Sequence, residues 1–384
     1  MERAELANLA AATGCAEEIG SITFLRPRRQ GDRDQAEFDR QTLLRDLRPG
    51  GDPRGWLCLP TGGSSGGLKF ARHDETTLQA AVEGMQRHFG LERINAVDVL
   101  PAHHVSGFMA RVRSAATRGT HLAWDWKRLE AADFPVLSAR PDGWVLSLVP
   151  TQLQRLLAVD GAAAWLRGFR HVFLGGGPTW ATLADAAVAA GLPVSLTYGM
   201  TETAAMVAAQ LPGDFRGGDR TCGSVLPHAR LRLDGDQVIH VGGRSVCRGY
   251  WPEWNPDAEF VSADLGEFDA RGHLRVLGRR DAAVISGGEK VHPAEVELLL
   301  RNSGEFRDVA VVGIPDPEWG EVLVACYPRP EGRAPDLERA VSGLAPHQRP
   351  KRFLLLTSWP DLGAGKVNRA RLQAAARAAV AEGS

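Results

Sequence analysis

The run LPTGGSSGGLKF, from Leu59 to Phe70, constrains this chain more than any other stretch. Glycines let the backbone turn with positive φ and bring N–H groups close to an anion. Thr61, Ser64, Ser65 and Lys69 add hydroxyl and ammonium contacts. A polyphosphate needs that combination. The common nucleotide loop is spelled G-x-x-x-x-G-K-[ST]. Gly62 and Gly67 fit its spacing, but Leu68 stands before Lys69 and Phe70 follows, so this is a phosphate loop of another kind. Alone, the run serves equally well as a surface turn, and the stretches downstream decide between the two.

At 384 residues the chain suits two or three domains of about 100–200 residues each. Its 44% apolar and 24% charged content is ordinary for a globular protein. A net charge of −1 gives no reason to expect nucleic acid or an anionic membrane as partner. The basic cluster Arg26, Arg28, Arg29 and Arg33 is diluted by Asp32 and Asp34 and suits a solvated face. Five scattered cysteines, odd in number and with no C-x-x-C pair, suit a reducing cytosol and argue against structural zinc. The first twenty residues have no signal-peptide core, and no run approaches the ~20 apolar residues of a membrane span. A cytoplasmic protein is expected.

Residues 1–55 carry no legible chemistry. After the glycine-rich loop, Asp74 can cap a helix with Leu78, Ala81, Val82, Met85 and Phe89 on one face, ended by Gly90. The order loop, then helix, is a βα passage. Val97–Leu100 suits a buried strand, and 106–118 a helix on which Ser106 and Arg113, seven apart, share a face while Arg111 points elsewhere. Strand Gly143–Val149 leads to Thr151-Gln152-Leu153-Gln154, a capping box for a helix through Leu157. Strand His171–Leu174, the turn Gly175-Gly176-Gly177-Pro178, a helix over Trp180–Ala190 and strand Pro193–Thr197 follow. Such repeats predict a mostly parallel sheet with ligand loops at the strand C-termini. Beyond residue 210 the pattern turns antiparallel, with hairpins at Asp234-Gly235 and Gly272. A last piece holds strand Ala283–Ile285, a helix from Pro293, strands Val309–Val312 and Leu323–Tyr327, and a helix from Arg369. The fold class is α/β. A large N-terminal domain, 1–280, combines mostly parallel sheets and helices with an antiparallel β subdomain. A small α+β C-terminal domain, 281–384, follows a hinge at Asp281.

Together these stretches resemble the acyl- and aryl-CoA ligases, the adenylate-forming enzymes, from about residue 55 onward. The phosphate loop matches with Leu68 in place of the usual proline, and Tyr198-Gly199-Met200-Thr201-Glu202 matches the family's Y-G-x-T-E. Ser262-Ala263-Asp264 stands at T-G-D; Gly278-Arg279-Arg280-Asp281, Gly287-Gly288-Glu289-Lys290-Val291 and Gly365-Lys366-Val367 also match. The resemblance implies that ATP and a carboxylate give an acyl-adenylate and pyrophosphate, after which the C-terminal domain reorients and the thiol of coenzyme A displaces AMP. It assigns the β- and γ-phosphates to Thr61, Gly62, Gly63, Ser64, Ser65, Gly66 and Lys69, and the α-phosphate to Thr201 as a catalytic residue. Glu202 would hold Mg²⁺, Asp264 and Arg279 the ribose, and Gly175, Gly176 and Gly177 the adenine flank, with Tyr198, Gly199 and Met200 completing the nucleotide site. Lys366 would bridge carboxylate and α-phosphate, and Gly287 and Gly288 would line the CoA channel.

Taken singly, several of these residues have plainer explanations. Glu202 could complement a helix dipole, Arg279 and Asp281 could be surface charge, and Lys366 an exposed loop lysine. His171 and His292 are expected to be structural. His104-Val105-Ser106-Gly107, the Ser-to-Arg spacing and Leu148–Leu153 resemble the family branch acting on o-succinylbenzoate in menaquinone and phylloquinone synthesis. That small aromatic acid has two carboxylates. The resemblance implies that the succinyl one is activated beside His104 and Gly199, and that Ser106 and Arg113 anchor the aromatic one. A solvent-facing arginine is the plain alternative for Arg113. Other aryl-CoA ligases, enzymes loading a carrier protein, and a nucleotide-binding protein without turnover complete the alternatives. The expected assembly is a monomer or homodimer. Family members carry a longer segment before the phosphate loop, so a reduced first subdomain is expected, with consequences for the pocket wall and any dimer surface.

Overall fold

The computed structural model describes residues 1–26, 55–62, 68–138, 142–255, 259–286, 289–316, 319–330, 332–359, 367 and 369–382. Four sheets organise them. The first is built from β1 (Ala16–Ile19), β2 (Ile22–Leu25), β3 (Leu57–Gly62) and β4 (Leu68–His73). β3 and β4 pair antiparallel from Leu57↔His73 to Gly62↔Leu68. The glycine-rich stretch is thus clasped by a hairpin, not by the strand-to-helix passage expected. The sequence hides β4 because Phe70 and Ala71 share it with Arg72 and His73, which are buried too, at 4% and 0% exposure. Residues 3–12 form a helix whose Leu6 and Ala10 pack into the same core as Phe24, Trp56 and Phe70.

The Glu75–Phe89 helix follows β4 as anticipated. The Asp74 carboxylate accepts from the Thr77 N–H at 3.0 Å, and Gly90 ends the helix in the left-handed region at φ 62°. The central sheet runs β11-β10-β9-β8-β7-β5-β6. Its parallel part comprises β5 (Ala96–Asp98), β6 (His121–Ala123), β7 (Val145–Leu148), β8 (His171–Leu174) and β9 (Val194–Met200). These strands are nearly continuous apolar runs because helices cover both faces. Leu146, Leu148, Val172, Leu174 and Val194 make the main core with Leu153, Leu156 and Leu183. Antiparallel β10 (Ala205–Ala209) and β11 (Ser224–Val225) close one edge. The Pro150–Leu157 helix is opened by Val149, whose N–H donates to the Gln152 side chain at 3.1 Å, and not by Thr151. Pro150 suits the first helical position, where an N–H would have no partner within the helix.

The third sheet, β12 (Ala229–Leu233), β13 (Val238–Gly243), β14 (Phe260–Phe268) and β15 (Leu274–Arg279), is antiparallel throughout, with turns at the two expected places. The fourth contains β16 (Val284–Ser286), β17 (Glu289–Val291), β18 (Ala310–Asp316), β19 (Gly320–Pro328) and β20 (Arg352–Leu356). Alternation on β18 serves two helices. Val311 faces the core of the Pro293–Asn302 helix, while Ala310, Val312 and Ile314 face that of Arg369–Glu382. The Ala181 N–H donates to the Asn302 side chain at 2.8 Å, and the Arg301 guanidinium lies over Trp180. No helix of the described residues is long and apolar enough to cross a membrane.

Asp74→Ala removes the cap of the 75–89 helix, and we expect a loss of about 1–2 kcal/mol, read as a lower urea midpoint at unchanged slope. An unaltered midpoint would contradict the importance of that cap.

Candidate functional site

The turn from β9 into β10 carries most of the predicted residues. β9 is longer than expected and runs through Tyr198, Gly199 and Met200, after which Thr201–Thr203 form one 3₁₀ turn. Ala204 and Ala205, at φ 53° and 80°, bring the chain straight back onto β9. A Cβ on Gly199 would lie 2.0 Å from the Ala205 carbonyl oxygen, so only glycine allows the return. The Thr203 hydroxyl accepts from the Met200 N–H at 3.1 Å and donates to the Ala205 carbonyl at 2.7 Å, fixing a conformation costly for alanine.

Thr201 is held from two sides. Its hydroxyl points to the Pro60 carbonyl on β3 at 3.4 Å, and its own carbonyl meets His73 Nε2 at 2.8 Å. A carbonyl only accepts, so Nε2 carries the proton and Nδ1 faces the Thr77 hydroxyl at 3.1 Å. Burial pushes the His73 pKa down to about 4, which keeps the ring neutral. His73 thus ties Thr201 to the start of the 75–89 helix.

Glu202 is 9% exposed and accepts from the Tyr250 hydroxyl at 2.6 Å. The Lys69 ammonium lies over the Tyr250 ring, 5.5 Å from its centre. Lys69, predicted to serve the phosphates, and Glu202, predicted to hold the metal, therefore meet on one tyrosine. Tyr250 is set by a bridge to Ala71, and Arg72 is sandwiched between its neighbours Trp251 and Trp254. Tyr198 plays the matching part on the other side, its hydroxyl donating to Asp264 at 2.9 Å. Asp264 stands opposite Arg279 in the β14–β15 register, 3.5 Å from its guanidinium. Arg279 also grips Asp281 through two nitrogens, at 2.8 and 2.6 Å. Burial pushes the Asp264 pKa up despite Tyr198 and Arg279, and Asp281 holds that of Arg279 above the usual value.

At the end of β8, a Cβ on Gly175 would strike the Thr197 hydroxyl at 2.5 Å. Gly176 has φ 77°, and Gly177 faces open space. His104 begins the Val105–Ala116 helix with its ring against His103, and Ser106 beside it is half-buried. Two turns on, Arg113 is 3% exposed with Nε and Nη2 lacking hydrogen-bond partners among the described residues, and burial lowers its pKa to about 10. Arg111 points elsewhere, as expected, 3.8 Å from Asp98. His171 packs between Phe89 and Phe173, and His292 faces the Arg279 carbonyl. The predicted residues Gly63, Ser64, Ser65, Gly66, Gly287, Gly288 and Lys366 lie outside the described residues, as does the backbone that would carry the loop's anion contacts.

Sequence reasoning missed His73 and Tyr250. The scarcity of tyrosine was a usable signal, since two of only three in the chain donate to the two predicted ligand carboxylates. Nothing in the sequence marks His73. Among the described residues no cluster of three His, Cys, Asp or Glu could hold a metal. A lone buried Glu202 fits Mg²⁺, which takes one or two protein carboxylates and completes its shell with phosphates and water.

Comparison with known proteins fits this geometry. The AMP-binding enzyme model matches residues 30–251 and the AMP-binding enzyme C-terminal domain matches 295–366, so the chain belongs to the AMP-binding enzyme family. Within it, a 2-succinylbenzoate--CoA ligase of Geobacillus kaustophilus is 33% identical over 312 residues, covering 76% of this chain and 63% of the relative. An indoleacetate--CoA ligase of Aromatoleum aromaticum is 30% identical, covering 82% and 66%. The chain thus spans less than two thirds of the length of these relatives. Among solved structures, ATP-bound MatB of Rhodopseudomonas palustris superposes with TM-score 0.70 at 26% identity, over 86% of this chain and 69% of that one. The o-succinylbenzoate CoA synthetase of Bacillus subtilis with its acyl-adenylate superposes at 0.70 and 24% identity, over 83% and 69%, a likeness of fold.

His73 has a testable consequence. Its folded pKa of about 4 lies below the usual 6.5, so the unfolded chain takes up the proton first as pH falls. Stability should therefore drop from pH 6.5 to about 4. His73→Gln, which can still donate to the Thr201 carbonyl, should flatten that drop by about one proton's slope. Identical slopes for the two proteins would contradict the buried neutral ring.

Proposed function

We propose that this protein is an ATP-dependent acid–CoA ligase that acts on an aromatic dicarboxylic acid of the o-succinylbenzoate type. The observation that carries the reading is the junction at Tyr250, where Glu202 and Lys69 come together beside Thr201. In-line displacement at the α-phosphorus depends on screened, positioned oxygens more than on proton transfer. Thr61, Lys69 and the 62–67 backbone would hold the β- and γ-phosphates, Thr201 the α-phosphate, and Asp264 and Arg279 the ribose. Gly175–Gly177 would flank the adenine. Mg²⁺ on Glu202 supplies charge neutralisation when bound. Lys366 would bridge the acid's carboxylate and the α-phosphate. The C-terminal part, turning about Asp281, would then present Gly287 and Gly288 to coenzyme A.

Arg113 supports a diacid. A guanidinium buried without a carboxylate is costly, and a second substrate carboxylate would satisfy it at ~1.5–3 kcal/mol per hydrogen bond. The indoleacetate relative supports a second reading, an aryl monoacid ligase, in which Arg113 would keep no such partner.

Pyrophosphate release over a panel of acids, with and without CoA, separates the readings. Release with o-succinylbenzoate well above that with indoleacetate or benzoate is expected, and thioester only when CoA is present. Equal rates would remove the Arg113 anchor, and no release with any acid would remove the ligase. Lys366→Ala should lower adenylation by roughly 10²–10³, and unimpaired adenylation would contradict the role of Lys366.

A further inference from the structure

The segment that carries Tyr250 is fastened to the backbone on both sides of the phosphate-binding region. The Cys247 N–H donates to the carbonyl of Glu202 itself at 2.8 Å. The Trp251 N–H donates to the carbonyl of Phe70, the neighbour of Lys69, also at 2.8 Å. Between these two, the Arg248 N–H donates to the Arg72 carbonyl at 2.7 Å, and the Arg72 N–H to the Gly249 carbonyl at 2.9 Å. Phe260 meets the Tyr250 ring edge-on, with centres 6.4 Å apart. The tyrosine therefore cannot shift without disturbing either the turn at Glu202 or strand β4.

Its two side-chain contacts are of different kinds. Glu202 is 9% exposed, and among the described residues its carboxylate takes one hydrogen bond, from the phenol onto Oε1 at 2.6 Å. That length is typical of a hydroxyl donating to an ionised carboxylate. Lys69 is exposed and makes no ion pair among the described residues; its ammonium rests on the ring face, 5.5 Å from the centre. An acid and an ammonium gathered at one side chain attract each other, and a direct pair would occupy both. Burial and the charge of Glu202 push the phenol pKa up, so the hydroxyl keeps its proton and keeps donating.

We propose that Tyr250 is a positioning residue for MgATP, its hydroxyl committing one oxygen of Glu202 and its ring seating Lys69, so that acid and ammonium stay apart and available. The inference rests on the roles given above to Glu202 and Lys69 and adds the residue that presets them. A carboxylate oriented in advance by a hydrogen bond holds a metal more tightly, and loss of such a partner typically costs 10–100-fold in metal affinity. Tyr250 acts on the metal only through Glu202, and on the phosphates only through Lys69.

The test is calorimetric titration of the full chain with MgATP and with ATP in EDTA, without acid or CoA. Wild type should prefer MgATP. Tyr250→Phe, which keeps the ring for Lys69 and removes the hydroxyl, should narrow that preference about tenfold. Tyr250→Leu, which removes the ring as well, should also weaken metal-free ATP. In a Glu202→Gln background, Tyr250→Phe should add little, because the two changes remove one interaction. Pyrophosphate release by Tyr250→Phe should need more Mg²⁺ for half its maximal rate and recover most of that rate in excess Mg²⁺. No MgATP preference in wild type, an unchanged preference in Tyr250→Phe, additive losses with Glu202→Gln, or a rate that excess Mg²⁺ leaves low would each overturn the proposal. Binding is read without turnover, so the expected binding pattern with no acid activated would sink the ligase reading alone. An active ligase whose Mg²⁺ demand and MgATP preference ignore Tyr250→Phe would sink this one alone.

Discussion

The close return of the chain at Gly199 and Ala205 is the constraint on which the site depends. Position 199 has no room for a Cβ, and two alanines accept left-handed backbone to complete the turn. In exchange, successive residues leave in different directions. Tyr198 reaches Asp264 on the third sheet, Thr201 reaches β3 and His73, and Glu202 reaches Tyr250. A looser turn would let each of these contacts drift independently. Positioned electrostatics loses its effect when donors move, because charge stabilisation depends on groups being in place beforehand. Strain stored at a functional turn is expected where the surroundings over-determine it, and here Thr203 supplies two of the fixing hydrogen bonds.

Burial sets the electrical character of the site. Asp264 and Glu202 are carboxylates each met by a tyrosine hydroxyl, and burial pushes both phenol pKa values up, so the phenols stay protonated and keep donating. His73 and His171 are held neutral by the same cause. Arg113 is buried, and its Nε and Nη2 find no hydrogen-bond partner among the described residues.

Much of this was legible in the sequence. The αL glycine after the 75–89 helix, its aspartate cap and the apolar parallel strands follow local rules, and the structure keeps them. The ordered motifs marked Tyr198, Thr201, Glu202, Asp264 and Arg279, and folding brings them together. What stayed hidden was non-local. β4 mixes buried Arg72 and His73 with Phe70, so polarity misreports which faces are inside. Tyr250 matters only through a partner far away in sequence, Glu202, and spacing carries no trace of such a pair. Thr151 resembled a helix cap, but Pro150 shifted the start of the helix onto Val149.

The central claim is that the turn at Thr201 and Glu202 and the anchor at Arg113 serve one reaction on one acid. Direct detection of the acyl-adenylate tests this most plainly. The enzyme is mixed with MgATP and o-succinylbenzoate in the absence of CoA, quenched, and examined by mass spectrometry. The account predicts an o-succinylbenzoyl-AMP species formed with stoichiometric pyrophosphate and consumed on adding CoA. Intact ATP and no acyl-AMP in the presence of the diacid would contradict it.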